Sequence, residues 1–257
     1  MSAPAVIFLM YHELALPNRS CCQSEPGYVR YVLSAEEFEA QMLTMKASGL
    51  RGVKVSEALK SPSSAVAITF DDGCETDLLA AAPILKRLGF GATFYIVPGR
   101  IGQTGYMNRA QLCQLSEAGF EIGCHSMTHP YLPDLDDARL HHEIAEAKTK
   151  LEQMTGKPVE HFSCPGGRYD ARVIQIAKAA RYHTLSTSRP RANSASADPF
   201  CLGRIAISRG LSTKSFQKLC RGESLWKLQL RVSLRDGAKR LLGNDTYDQV
   251  RTAILGR

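Results

Sequence analysis

Short apolar segments alternate with helical patterns through most of the chain, and this alternation limits the possible folds more than any other feature. The apolar segments lack the in-out alternation of half-exposed strands, so we predict strands that are buried on both faces. Clear examples are 6–10 and 65–70. A helical pattern opens at Ser34, where Glu37 completes a capping box. Strand–helix repeats of this kind predict a parallel sheet.

The predicted elements are enough for a closed barrel. The strands are predicted at 6–10, 65–70, 92–97, 120–124, 161–163 and 184–186, and the helices at 34–49, 77–88, from 108, 136–154 and from 171. We expect an α/β fold, a deformed parallel (β/α) barrel with chemistry at the C-terminal strand ends. An open doubly wound sheet is the alternative. Dinucleotide binding has no support, because no G-x-G-x-x-G follows the first strand.

The chain changes character after about Arg189. A loop rich in Ala, Ser and Pro comes first, and 225–257 is helical and basic. Its apolar stripe consists of Leu230, Leu234, Ala238 and Leu241, surrounded by Lys227, Arg231, Arg235, Lys239 and Arg240. We predict a barrel domain over 1–210 and a helical C-terminal extension over 211–257 that packs on the barrel. The other interpretation is a surface helix that contacts an anionic polymer or lipid.

Composition restricts the partners and the compartment. Lys and Arg total 32 against 25 Asp and Glu, a net charge of +7, but no basic run is interleaved with aromatic residues, so nucleic acid is not indicated. No apolar run reaches the ~18 residues of a membrane span, and the start Met1-Ser2-Ala3-Pro4 lacks the basic residues of a signal peptide. We therefore predict a cytoplasmic protein, with peripheral membrane association as an open possibility. The eight cysteines form no C-x-x-C pair, which favours reduced thiols.

Two adjacent carboxylates, Asp71 and Asp72, directly follow the predicted strand that ends at Phe70. Like charges this close repel each other and call for a compensating cation. One carboxylate can bind a metal while its neighbour stays free as a base. An ordinary Asp-Gly turn is the competing interpretation of this segment taken alone.

Two histidines, His125 and His129, lie four residues apart directly after the strand that ends at Cys124. A tight turn can direct both rings at one ion, and neutral imidazole is a common zinc ligand. With Asp72 they predict a His-His-Asp site with open positions for water, the pattern of a catalytic metal.

A third segment, Pro165-Gly166-Gly167-Arg168-Tyr169, follows the strand at 161–163. Glycines let a backbone approach a ligand closely, and Arg168 could orient a carboxylate. On spacing alone, an ordinary Pro-Gly-Gly turn explains the segment equally well. We interpret His141-His142-Glu143, in the long helix, as a solvent-facing surface.

In this order, T-F-D-D-G, H-S-x-x-H-P and P-G-G-R-Y resemble the polysaccharide deacetylases of carbohydrate esterase family 4, the NodB-homology domain. Tyr11-His12 after the first strand resembles exopolysaccharide-type members. The resemblance covers about 5–210 and implies a barrel of about seven strands that hydrolyses N-acetyl groups of a glycan. By it, Asp71 is the general base, and Asp72, His125 and His129 hold one divalent metal, usually zinc. Pro165, Gly166, Gly167, Arg168 and Tyr169 would contact the acetylated glycan.

The sequence departs from the family pattern at two positions. Ser163 stands where an Arg usually orients the base, and Arg168 is the nearest substitute. The late L-x-H motif that supplies the general acid is absent, since His183 is the last histidine. The acid could be His12, at the end of the first strand, or a proton relayed through the metal-bound water, and we favour His12.

Two other functions compete with N-deacetylation. The same site could hydrolyse an O-acetyl ester or a non-sugar amide, as some relatives of this fold do. Alternatively, the two missing motif positions could indicate a catalytically weak, carbohydrate-binding accessory protein. Metal content together with activity on acetylated glucosamine oligomers separates N-deacetylation from the accessory protein, and a comparison of amide with ester substrates separates it from the other hydrolase.

Overall fold

The computed structural model describes residues 5–60, 65–223, 225–230 and 232. Its strands are β1 (Ala5–Tyr11), β2 (Leu14–Ala15), β3 (Leu33–Ser34), β4 (Arg51–Val53), β5 (Ala65–Phe70), β6 (Thr93–Ile96), β7 (Glu121–Cys124), β8 (His161–Ser163), β9 (Thr184–Ser186), β10 (Asn193–Ser194) and β11 (Ile205–Ala206). Its helices are α1 (Pro26–Val29), α2 (Ala35–Ala47), α3 (Val55–Ala58), α4 (Ala82–Leu88), α5 (Arg109–Glu117), α6 (Asp137–His141), α7 (Ala147–Thr155), α8 (Ala171–Ala179) and α9 (Thr213–Cys220). Two π-helical segments, Asp77–Ala81 and His142–Glu146, run directly into α4 and α7.

Parallel strands form a deformed barrel. Strands β1, β5, β6, β7, β8 and β9 are hydrogen-bonded in that order, and each of these pairings is parallel. Strand β11 is parallel to the other edge of β1, and Leu202, shortly before β11, bridges Ser186 of β9. The segment from Leu202 to Ala206 therefore joins the first and last strands. The predicted α/β barrel is confirmed, and an open sheet is excluded.

The barrel strands are buried because helices cover their outer faces. All six residues of β5 are buried, as are all but the first residue of β1. Between these strands and α2, the aromatic rings of Tyr11, Phe38 and Phe70 pack together with centroid separations of 5.1–5.4 Å. A strand enclosed on both faces has no polar face to present, which explains the continuous apolar runs in the sequence.

The predicted strands are present, and their ends differ by one residue or less. The capping box at Ser34 and Glu37 forms as expected. The long helix predicted at 136–154 is a continuous run from Asp137 to Thr155 with a π-helical segment inside it. Additional strands, such as β4 and β11, are only two or three residues long, too short to produce a hydrophobic period.

The predicted C-terminal amphipathic helix lies largely outside the described residues. Lys227 and Leu230 are described, and both are part of a helical segment over 225–230. The other residues of the predicted stripe and of its basic border fall outside: Leu234, Ala238, Leu241, Arg231, Arg235, Lys239 and Arg240. Within the described part of the chain, no helix combines the length and the apolar character that crossing a bilayer requires.

Candidate active site

The C-terminal strand ends bring the predicted site residues onto one rim of the barrel. The β1–β5 register aligns Tyr11 with Phe70, and the amide of Asp71 donates to the carbonyl of Tyr11 at 3.0 Å. His12 and Asp71, which directly follow β1 and β5, therefore lie at the same end of the barrel. His125 directly follows β7 on this rim. Parallel strands produce this arrangement because their carboxyl ends share one edge.

Asp72, His125 and His129 form one compact group of potential ligand atoms, all within 4.8 Å of one another. Oδ1 of Asp72 lies 3.4 Å from Nε2 of His129 and 4.0 Å from Nε2 of His125. The backbone at Asp72 and His129 adopts the left-handed region, with φ values of 80° and 71°. Non-glycine residues pay a conformational cost there, and such strain is typical of functional sites.

A backbone hydrogen bond fixes the tautomer of His125. Its Nδ1 lies 2.8 Å from the carbonyl oxygen of Ser163, which can only accept, so Nδ1 carries the proton. The lone pair of Nε2 then points toward the carboxylates, 3.6 Å from Oδ2 of Asp71. Burial lowers the pKa of His125 to about 4 and the pKa of His129 to about 4, so both rings are neutral near pH 7.

The loop that carries His129 is held by a buried glutamate. The carboxylate of Glu143 accepts from the Thr128 amide at 2.8 Å and from the Thr128 hydroxyl at 2.6 Å. The His129 amide donates to the Ser126 hydroxyl at 2.9 Å. The interpretation of Glu143 as solvent-facing was wrong: its position on the helix points it inward, whereas His141 and His142 are exposed.

This donor set fits a divalent metal. The unprotonated Nε2 of His125 and the oxygens of Asp71 and Asp72 are all acceptors, and no hydrogen lies between them to relieve their repulsion. Arg100 supplies one positive charge, with Nη1 3.4 Å from Oδ1 of Asp72. Two neutral imidazoles and a carboxylate that converge in this way match the ligands of a catalytic zinc site.

Asp71 is bound by a fully buried arginine, Arg204. The guanidinium donates Nη1 to Oδ1 and Nη2 to Oδ2 of Asp71, both at 2.7 Å. Its remaining N–H groups donate to three other acceptors: the Thr69 hydroxyl at 3.2 Å, the Ser163 hydroxyl at 2.7 Å and the Thr187 carbonyl at 3.1 Å. All five donors of the guanidinium are therefore used, which fixes its orientation.

Arg204, and not Arg168, is the arginine that binds Asp71. The suggestion that Arg168 orients this carboxylate was wrong, because its guanidinium lies 3.8 Å above the ring of Tyr131. Ser163 leaves space for Arg204, and its own hydroxyl lies 3.3 Å from Oδ2 of Asp71. Burial raises the pKa of Asp71, but the Arg204 guanidinium outweighs this effect and holds that pKa below its usual range. In the sequence, the signal that could have drawn attention to Arg204 is its position directly before the apolar run 205–207.

The third predicted segment forms a turn at the end of β8. A Cβ on Gly167 would lie 2.5 Å from the Ser188 amide nitrogen, and one on Gly166 would lie 2.9 Å from the Tyr131 ring. These glycines therefore permit close packing within the protein. Tyr169 places its hydroxyl 2.7 Å from Sγ of Cys201. Pro165, the first residue of this turn, is buried.

His12 lies against an aromatic wall on the same rim. Its ring stacks on Tyr31 with centroids 5.3 Å apart and meets Tyr28 edge-on at 6.4 Å. Its Nδ1 is buried and has no hydrogen-bond partner among the described residues. The ring is thus positioned by stacking on Tyr31.

A parallel barrel with carboxylates and imidazoles on its rim is an arrangement typical of metal-assisted hydrolases. The similarity of this chain to known proteins specifies the group. A family model described as polysaccharide deacetylase matches residues 58–185. The chain belongs to the polysaccharide deacetylase family.

Individual relatives share both sequence and fold. YxkH of Bacillus subtilis, a protein named for this family, is 28% identical over 215 residues, covering 81% of this chain and 73% of YxkH. The peptidoglycan-N-acetylglucosamine deacetylase of Bacillus cereus is 32% identical over 121 residues, 47% of this chain and 54% of the relative. The Streptococcus pyogenes deacetylase PplD, solved with acetate, superimposes with a TM-score of 0.75 at 22% identity, covering 85% of this chain and 99% of PplD. At that identity the superposition supports the fold.

Proposed function

We propose that this protein hydrolyses the N-acetyl groups of an acetylated glycan. The observation that carries the proposal is the pair of carboxylates after β5, which have different environments. Asp71 is bound to Arg204, whereas Asp72 faces His125 and His129. Of the two adjacent aspartates, Asp71 would thus act as the base and Asp72 as a metal ligand. Metal-assisted amide hydrolysis needs this combination.

One divalent metal would be held by Asp72, His125 and His129. Zinc is the ion that we favour, because imidazole nitrogens and a carboxylate oxygen are its common catalytic ligands. The ion would supply Lewis acidity toward the acetamide carbonyl and the attacking water. His125 is prepared for this role, since its Nδ1–H is occupied by the Ser163 carbonyl and Nε2 is left to coordinate.

Asp71 would accept the proton of the attacking water. Its carboxylate is ionised at neutral pH because Arg204 stabilises the negative charge. The fork of the guanidinium also fixes the plane of the carboxylate, and the Ser163 hydroxyl limits its remaining freedom. A general base that is already held in one orientation needs no further alignment to reach the transition state.

His12 would donate a proton to the leaving amine. It lies on the rim beside Asp71, with its ring held on Tyr31 and Nδ1 unpartnered among the described residues. An imidazole is suited to this step because its ordinary pKa is near the working pH of most enzymes.

The glycan would lie along the turn after β8. Arg168 stacked on Tyr131, and Arg189 over the ring of Tyr169, would provide flat surfaces and hydrogen-bond donors of the kind that sugar rings contact. Relatives support a glycan of acetylated glucosamine units: one is a peptidoglycan-N-acetylglucosamine deacetylase and another, from Azorhizobium caulinodans, a chitooligosaccharide deacetylase. Pro165, Gly166 and Gly167 would set the shape of this turn.

The division into a barrel over 1–210 and an extension over 211–257 is also a proposal. It is supported by α9, which packs its buried Phe216 and Cys220 on the barrel core. Contact of the extension with an anionic polymer or lipid surface would involve Trp226, Lys227 and Leu230. The exposed fractions of Trp226 and Leu230 are 61% and 53%. Cytoplasmic location stays a prediction.

The test is acetate release by the purified, metal-analysed protein. N-acetylglucosamine oligomers and an O-acetylated sugar are assayed in parallel, before and after chelation and zinc restoration. We expect acetate and free amine from the amide substrates, loss on chelation and recovery with zinc. Faster release from the ester would identify an O-acetyl esterase, and no release from either would contradict the proposal.

A further inference from the structure

A second group of reactive side chains lies outside the proposed metal cluster. Sγ of Cys22 is 3.0 Å from Sγ of Cys74, although the two residues are 52 positions apart in the sequence. Cys74 is fully buried in the loop after β5, and Cys22 is half-buried in the long connection between β2 and β3. The pair is therefore partly accessible to a small reagent.

The surrounding structure holds both thiols in place. Both carboxylate oxygens of the buried Glu13 accept from the Cys22 amide, at 3.1 and 3.0 Å, and one accepts from the Tyr28 hydroxyl at 2.9 Å. The Tyr28 hydroxyl also lies 3.3 Å from Sγ of Cys74. On the other side, a Cβ on Gly105 would lie 3.0 Å from Sγ of Cys22. The sulfurs thus face each other with little freedom to separate.

We propose that Cys22 and Cys74 form a reversible disulfide. The oxidant is a low-molecular-weight disulfide. The Cys22 thiolate attacks it, forming a mixed disulfide and releasing one thiol. The Cys74 sulfur then attacks Sγ of Cys22 as its proton passes to the leaving small thiolate, and the mixed disulfide breaks. Two protein thiols are oxidised, one small disulfide is reduced to two thiols, and the protons of the protein thiols end on the small thiols.

Geometry favours this bond over a metal bound by the same residues. Two thiolates on one tetrahedral zinc lie roughly 3.8 Å apart, given a Zn–S distance of about 2.3 Å. The observed sulfur separation is shorter, at 3.0 Å. Glu13, the third potential ligand, already accepts from the Cys22 amide and the Tyr28 hydroxyl. A disulfide leaves both of these hydrogen bonds intact.

The bond would connect two segments that meet at the rim. Cys74 is two positions beyond Asp72, and Cys22 begins the segment that carries Tyr28 and Tyr31, against which His12 packs. Oxidation would fasten this aromatic wall to the loop after β5. The proposal does not depend on the deacetylase activity, because it concerns only two thiols and their neighbours.

The test is a thiol count with a peptide map. The full-length protein is equilibrated with oxidised or reduced glutathione, denatured, alkylated and digested without reduction. We expect oxidation to remove two of the eight alkylatable thiols and to produce one Cys22–Cys74 cross-linked peptide. Reduction should restore both thiols and lower the Tm by on the order of 5–10 °C.

Cys22→Ser is the informative variant, and Cys21→Ser, at the exposed neighbouring cysteine, is its matched control. The control should behave as the wild type, while Cys22→Ser should keep its remaining thiols and show no redox-dependent Tm. Full alkylation of the wild type after oxidation would overturn the proposal. So would a cross-link that uses Cys21, or zinc retained by the thiol pair in a His129→Ala background. The peptide map of the wild type tests for the Cys22–Cys74 disulfide even if a variant fails to fold.

Discussion

Arg204 and Asp71 form a buried ion pair joined by two hydrogen bonds of 2.7 Å each. Asp71 follows β5, whereas Arg204 comes directly before β11, 133 positions later in the chain. Removing one partner of such a pair leaves an uncompensated buried charge, which typically costs about 3–5 kcal/mol. The pair therefore links the closure of the barrel to the protonation state of the proposed base.

Arg204→Lys should move the acidic limb of the kcat/KM profile to higher pH. Lysine keeps the positive charge but cannot make the fork that binds both oxygens, so the pKa of Asp71 should rise and the base should protonate at a less acidic pH. Turnover at neutral pH should fall by roughly 10- to 100-fold, because the carboxylate loses its fixed orientation.

The matched control is Arg168→Lys, which alters the stack on Tyr131. Its acidic limb should stay at the wild-type position, and any effect should appear in KM. The opposite result, a shift with Arg168→Lys and none with Arg204→Lys, would return the orienting role to Arg168.

Asp71→Asn should retain metal and lose roughly 10²–10⁴-fold in turnover, the usual cost of removing a general base. The substitution spares the three proposed ligands. It also leaves Arg204 without its counter-charge, so the Tm should fall, and assays belong well below the new Tm. The metal content of Asp71→Asn is compared with that of Asp72→Asn, because the second variant should lose the metal. A metal-free Asp71→Asn protein would show that the two aspartates have exchanged roles.

His129→Ala should remove metal and activity together and leave the fold intact. The side chain of His129 is 28% exposed, and its loop is held independently by Glu143 and Ser126. Elemental analysis and thermal unfolding measure the two effects separately. The exposed His142 offers a control, because His142→Ala should bind metal fully. Full occupancy in His129→Ala would remove this residue from the ligand set.

His12→Gln should abolish the basic limb of the pH–rate profile while metal content stays unchanged. Glutamine cannot donate a titratable proton, so the rate should no longer depend on a group that must be protonated. His183→Gln makes the same substitution at an exposed position and should preserve the profile. If the two variants have identical profiles, the acid is another group.

Asp77→Asn should stabilise the protein, and more so as the pH rises. Asp77 is completely buried, and its two carboxylate oxygens have no hydrogen-bond partner among the described residues. Burial raises its pKa, so the native state holds a proton that the unfolded chain releases above about pH 4. The free energy of unfolding of the wild type therefore falls as the pH rises. The Asp77→Asn variant lacks this loss, because its amide does not titrate.

The measurement is the free energy of unfolding between pH 5 and pH 8. The variant should gain about 1–3 kcal/mol at the upper end, because each pKa unit by which burial raises the carboxyl group costs roughly 1.4 kcal/mol once the unfolded chain is ionised. Asp134→Asn, at an exposed aspartate, should show a difference that is small and independent of pH. A constant difference for Asp77→Asn would mean that Asp77 does not titrate on unfolding.

The local sequence determined the barrel and the position of the Asp-His-His group. Apolar runs such as 65–70 specify buried strands, and the capping box at Ser34 marks a helix start, because both depend on neighbouring residues. Parallel topology then places all strand ends on one rim. Asp72 and His125, each just after a strand, could therefore be predicted to meet.

Contacts between distant segments were decided only by the tertiary structure. The apolar run 205–207 beside Arg204 predicts a strand but does not identify Asp71 as its partner, because barrel closure through the short strand β11 brings the two together. The inward position of Glu143 depends on how its helix packs on the loop of Thr128. The contact between Cys22 and Cys74 also joins segments remote in sequence. Local pattern specifies which elements form, but the packing of those elements determines which side chains become neighbours.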